Sequence, residues 1–160
     1  MWFQLRRMSL EEAARAPFGF DNRAEIAAPP ERVFELFADG SRMGSWLQDF
    51  RACRWTSPEP HGVGSEREVE LAVFTVKERF LAWDRGKRIS FCIDAITLPL
   101  LAAAVEDLQL APAGKGTEVR WRVHYFPSLA MRLVHPLARV VFGRLFRNSL
   151  AALKRLAEQG

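Results

Sequence analysis

Three charged side chains fall where the alternation of their strands calls for apolar ones. In "SEREVEL", Arg67 shares a parity with Ser65, Val69 and Leu71. In "TVKERF", Glu78 shares one with Val76 and Phe80, and in "AAVEDLQLA", Glu106 shares one with Ala104, Leu108 and Leu110. Successive strand residues point to opposite faces, so if the apolar set of each run faces a covered interior, its charged member does too. A lone carboxylate there is costly and must be paired or protonated. Such a carboxyl, its pKa raised by burial, can act as acid or base beside a carbonyl, so Glu78 and Glu106 are candidate catalytic residues. Arg67 or Tyr125 can polarise an oxygen. The same groups can instead anchor the polar end of a ligand. A third outcome is structural: an Arg–Glu bridge, or a β-bulge that turns one member outward.

Other chemistry is not spelled out. His61, His124 and His135 have no metal-ligand spacing with one another or with Cys53 and Cys92, so no metal site and no cofactor are expected. "PAGKGT" lacks the spacing of a phosphate-binding loop and reads as a turn. His124 has outward parity, while His135, just before Pro136, either packs or faces the interior. The two cysteines form no framework and read as free thiols in a reducing, cytoplasmic setting.

The elements that must position the charged trio follow from the rest of the chain. Residues 1–17 read as an N-terminal appendage in which Ser9 and Glu12 form a capping-box pattern for a short helix over about 10–15. Residues 18–160 read as one domain. "FGFDNRAEIAA" is a first strand, and Pro29-Pro30 ends it and opens a helix over "ERVFELFA". Ser41 is positioned to cap a second short helix, "RMGSWLQ". Six further strand-like runs follow, separated by "PEPHGVG", "DRGKR" and "PAGKG", spacing that indicates antiparallel hairpins. From Ser128 to Gln159 the pattern is helical over roughly 45 Å, with Pro136 expected to kink or split it. The fold class is α+β: a seven-stranded curved antiparallel sheet, two short helices after the first strand, and one long C-terminal helix as cover.

The net charge of +4 is too low for a nucleic-acid binder. Its distribution is uneven. Arg132, Arg139, Arg144, Arg147, Lys154 and Arg155 follow one another with no acid between them. They read as a solvated helix face, or as a surface for peripheral contact with an anionic membrane or an acidic partner.

The ordered set "IAAPPERVFELFAD", "SW", "GVGSE", "KERFLAWDRGKRISF" and "GKGTEVRWRVHY", followed by a long amphipathic helix, resembles the START/Bet v 1-like (SRPBCC) superfamily. It looks closest to the polyketide cyclase/dehydrase and lipid-transport branch, over roughly residues 18 to 158. The resemblance implies the helix-grip fold, with a cavity between sheet and long helix that opens near the two short helices. Parity then nominates its walls: Val69, Leu71, Phe80, Phe91, Ile93, Leu108, Leu110, Trp121, Val123 and Tyr125 from strands, and Leu133, Leu137 and Val141 from the helix. Trp46 falls near the rim, where it either packs or, with Met43 and Phe50, serves as a gate. The function expected is binding of a hydrophobic small molecule such as a lipid or polyketide-like compound. Two alternatives stand beside it: an aromatase/cyclase or dehydratase, and a protein- or membrane-docking module.

Overall fold

The computed structural model describes all 160 residues. Seven strands form one antiparallel sheet: β2 (Phe18–Ile26), β3 (Phe50–Trp55), β4 (Glu66–Leu71), β5 (Thr75–Asp84), β6 (Arg88–Ile96), β7 (Leu101–Ala113) and β8 (Gly116–Pro127). Their spatial order is β2-β8-β7-β6-β5-β4-β3, so every neighbour except β2–β8 is joined by a hairpin. A short strand β1 (Phe3–Gln4) pairs with Ile96 and Ala95 of β6. Residues 1–17 therefore lie on the sheet. Helix α1 (Leu10–Ala13) carries the Ser9–Glu12 capping box, and Met8 and Ala13 pack on Cys92, Ala103 and Val105 as a small second core.

After β2, Pro30 occupies the first turn of α2 (Pro30–Ala38), whose Val33, Phe34, Leu36 and Phe37 are buried. The next helix is a 3-10 turn, Gly40–Ser45, and its cap is Asp39 rather than Ser41: the Asp39 carboxylate accepts from the Ser41 N–H at 2.9 Å. Asp39 has extended backbone, so it ends one helix and caps the next without a separate linker.

Helix α3 (Leu129–Glu158) crosses the sheet as one unbroken element with Pro136 inside it. Of the two expectations, a kink or a split, the split does not occur. Pro136 lies on an exposed stretch, where the carbonyl deprived of its helical N–H can turn to water. Ser128 caps the start, accepting from Met131 N–H at 3.0 Å. The last turn is held by Arg32 of α2, which donates to the carbonyls of Ala157 (2.7 Å) and Leu156 (3.2 Å). Replacing Pro136 by Ala restores a helix former in an exposed helix interior. It is expected to raise stability by about 1–3 kcal/mol, measured by urea unfolding; no change would mean that α3 adds nothing to cooperativity there.

Candidate ligand cavity

The strands bring the three charged side chains to one place. In the β4–β5 ladder Arg67 lies opposite Glu78, which lies opposite Ile93 across β6. The adjacent row runs Phe80, Phe91, Glu106, Val123. Arg67 donates from Nε to Glu78 Oε2 at 2.6 Å and from Nη1 to the Ala38 carbonyl at 3.3 Å. Its Nη2 has no hydrogen-bond partner. The guanidinium carbon lies 4.9, 5.5 and 5.7 Å from the ring centroids of Phe80, Trp55 and Phe91, so aromatic faces surround it where oxygens do not. Glu106 Oε2 accepts from the Trp121 indole N–H at 2.9 Å.

These groups border a cavity between the sheet and α3. It is lined by 26 residues, of which 23 are hydrophobic; the other three are Arg67, Glu78 and Glu106. A water-sized molecule finds about 100 Å³ of room in it, and the empty space reaches about 930 Å³ once side-chain crevices and the open mouth are counted. Most lining side chains that keep partial exposure, Phe20 and Glu106 apart, gather at the mouth. They are Leu47, Leu71 and Phe74, Leu100 and Leu101, and Ala138 and Phe142 of α3.

The electrostatics are unusual for carboxyls. Burial pushes the Glu106 carboxyl up to about 8, helped by the Glu78 charge and opposed by the Trp121 hydrogen bond and by Arg67. It is therefore mostly protonated at neutral pH and offers an O–H inside an apolar chamber. Burial also raises Glu78, against the pull of Arg67. Neither thiol is activated. Burial, followed by a hydrogen bond to Asp94, holds Cys92 up at about 12, and burial raises Cys53 as well. No three His, Cys, Asp or Glu side chains converge as a metal site would require.

Of the residues nominated from sequence, Trp46, Arg67, Val69, Glu78, Phe91, Ile93, Glu106, Trp121, Val123 and Tyr125 border the cavity, as does Leu71. Phe80 and Leu108 do not. Both are fully buried in the core cluster, Phe80 against Trp83 and Phe91. Leu110 is likewise core. Leu133, Leu137 and Val141 point the other way, with 89, 68 and 54% of their surface exposed. The face of α3 toward the cavity is instead Met131, Ala138, Phe142, Leu145 and Phe146. Trp46 is wall rather than gate. It is buried, its N–H donates to the Leu36 carbonyl at 3.0 Å, and its ring stacks on Phe37 at 5.2 Å. Met43 is also buried wall, and Phe50 does not reach the cavity. The Tyr125 ring lines the cavity, but its hydroxyl is engaged with His135 Nε2 at 2.8 Å.

Two cavity residues missed in the sequence owe their place to bulges. The β5–β6 register shifts between Lys77 and Glu78, leaving Asp94 as the extra residue, so Ile96 joins the parity of Ile93. In β7 the shift between Leu101 and Ala103 does the same for Leu101. Phe20 carried a usable signal, since it shares a parity with Ala24 and the buried Ile26.

Comparison with known proteins agrees with this fold. An uncharacterized protein of Mycobacterium tuberculosis H37Rv is 30% identical over 155 residues, covering 96% of this chain and 88% of its own. Among solved structures, a START superfamily protein from Mycobacterium smegmatis superposes with a TM-score of 0.74 at 14% identity, over 88% of this chain and 97% of that one. A major latex-like protein from Panax ginseng gives 0.63 at 15% identity, over 88% and 97%. At those identities the likeness is one of fold. The family model described as polyketide cyclase/dehydrase and lipid transport matches residues 17–158, and the chain belongs to that family.

Proposed function

We propose that the protein takes up a hydrophobic small molecule, such as a lipid, isoprenoid or polyketide-like compound, in this cavity and carries it. The observation behind this reading is the lining: apolar almost throughout, with its only charged groups gathered at one point. Pockets of that kind take affinity from the apolar wall and orientation from the few polar groups. Desolvation supplies roughly 25 cal/mol per Å² of apolar area, less the cost of ordering. The protonated Glu106 and the N–H groups of Arg67 are donors, so they suit a ligand whose polar end is a neutral hydroxyl or carbonyl. Known ligand pockets span about 300–1,000 Å³, so uptake requires a wall to yield. The first half of α3 is suited to that. Apart from the Ser128 cap, its polar ties to the sheet are the Tyr125–His135 bond and the Arg139 guanidinium over the Phe18 and Phe20 rings.

Native mass spectrometry of gently purified protein is expected to show a bound apolar compound. A fluorescent fatty alcohol should quench Trp46 and Trp121 saturably, because both indoles border the cavity. Protein that is repeatedly empty and takes up no such probe would overturn the reading.

A second reading is favoured by one observation: the Glu106 carboxyl, raised by burial and in the row next to the Arg67–Glu78 pair, is suited to general-acid work. The protein would then be an aromatase/cyclase or dehydratase acting on a poly-β-keto chain, with Glu106 giving its proton to a departing hydroxyl and its carboxylate taking the proton of the adjacent carbon, so that water leaves and a C=C bond forms. Glu106→Gln should then abolish turnover and change binding only several-fold. Undiminished turnover in that variant removes Glu106 from the mechanism.

A further inference from the structure

The first half of α3 has a second apolar face that nothing in the molecule covers. Leu129, Leu133, Leu137 and Val140 recur at helical spacing on the side away from the cavity, flanked by Val134 and Val141. All six are between 52 and 89% exposed. A helix apolar on both sides belongs where both sides are covered, and soluble surfaces seldom leave such a stretch open. The β4–β5 turn adds a separate apolar point at the cavity mouth. Phe74 packs on Phe142 with ring centroids 6.0 Å apart, and its neighbour Val73 is 75% exposed.

Charge selects the occupant. Arg132, Arg144 and Arg147 are exposed along the helix, Arg139 lies over the Phe18 and Phe20 rings of β2, and the one ion pair within α3 is Lys154–Glu158 near its far end. The chain carries no Asp or Glu from Val119 to Ala157. A second copy docked through a two-fold axis would set this cationic surface against itself. An anionic bilayer offers hydrocarbon to the leucines and phosphate to the arginines.

We propose that the first half of α3 lies in the interfacial layer of an anionic membrane. Its leucine face is immersed and its arginines sit at the headgroups, with the cavity mouth at Ala138 and Phe142 beside the bilayer. This docking stands independently of what the cavity holds.

Co-sedimentation tests it with vesicles of phosphatidylcholine alone and of phosphatidylcholine with phosphatidylglycerol in equal amounts. The full chain is expected to bind the anionic vesicles at least about tenfold better, and to be released by salt. The double variant Leu133→Glu, Leu137→Glu should lose binding to both. Arg132→Gln with Arg144→Gln should weaken binding to anionic vesicles by about 30-fold and leave neutral vesicles unaffected. These side chains are exposed, so unchanged melting temperatures confirm folding. Equal binding by parent and leucine variant overturns the proposal, as does failure of the parent to bind anionic vesicles. So does a dimer, seen by light scattering, that the leucine variant dissociates, since the face then belongs to a second copy.

Discussion

The Glu106→Gln variant is expected to melt on the order of 10 °C above the parent at about pH 9 and close to it at about pH 5. In the folded protein the Glu106 carboxyl keeps its proton up to about pH 8, whereas the unfolded chain releases it near 4.5. Between those values the folded state binds the extra proton, so stability falls as pH rises through the window. Below it the penalty is absent, and above it the loss is complete. The full span amounts to something on the order of 5 kcal/mol, lessened by any water in the cavity. Glutamine keeps an oxygen for the Trp121 N–H and has no charge to desolvate. Calorimetry across this range is the measurement. Parent and variant curves that run parallel would show that Glu106 is ionised throughout. The same titration bears on binding, because a ligand with a neutral oxygen loses the Glu106 O–H donor above about pH 8 and its affinity should fall there.

Removing Arg67 is expected to cost about 3–5 kcal/mol, because the Arg67–Glu78 pair is buried and truncating one partner strands the other. Arg67→Met keeps most of the volume among the Phe80, Trp55 and Phe91 rings, so packing loss is small beside the charge effect. Glu78 is already raised by burial, and without the guanidinium it rises further. The deficit should therefore grow with pH and ease in mild acid, where Glu78 is protonated. Adding Glu78→Gln should return most of the loss at neutral pH. A double-mutant cycle by urea unfolding measures the coupling. A sum of independent single effects would mean that the pair contributes nothing beyond packing.

The strands were legible because their signal is local. In β8, Val119, Trp121, Val123 and Tyr125 alternate with charged residues, and the structure buries all four. The same parity brought Arg67, Glu78 and Glu106 to one wall, since hairpin registers set those rows side by side. Ile96 and Leu101 escaped because one extra residue in a strand inverts every parity beyond it, and nothing local marks Asp94 or Ala102 as that residue. The 3-10 helix was foreseen with the wrong cap because Asp39 and Ser41 are both able caps, and only the backbone conformation at Asp39 separates them.

Helix α3 draws the line between the two kinds of information. Over its first half, Leu133, Leu137 and Val141 form one apolar stripe and Met131, Ala138 and Phe142 another, so periodicity there allows either to face inward. The choice is made further along the chain. Gly143 sits against Phe20, where an added methyl would be 3.6 Å from the ring, and Leu145, Phe146, Leu150 and Leu153 are buried behind it. A helix is stiff, so the rotation set by that packed second half is imposed on the first. The amino-acid order was enough for alternation, caps and the makeup of the cavity wall. Which stripe of α3 lines the cavity, and which is left outside it, depended on how the distant half of the same helix meets β2.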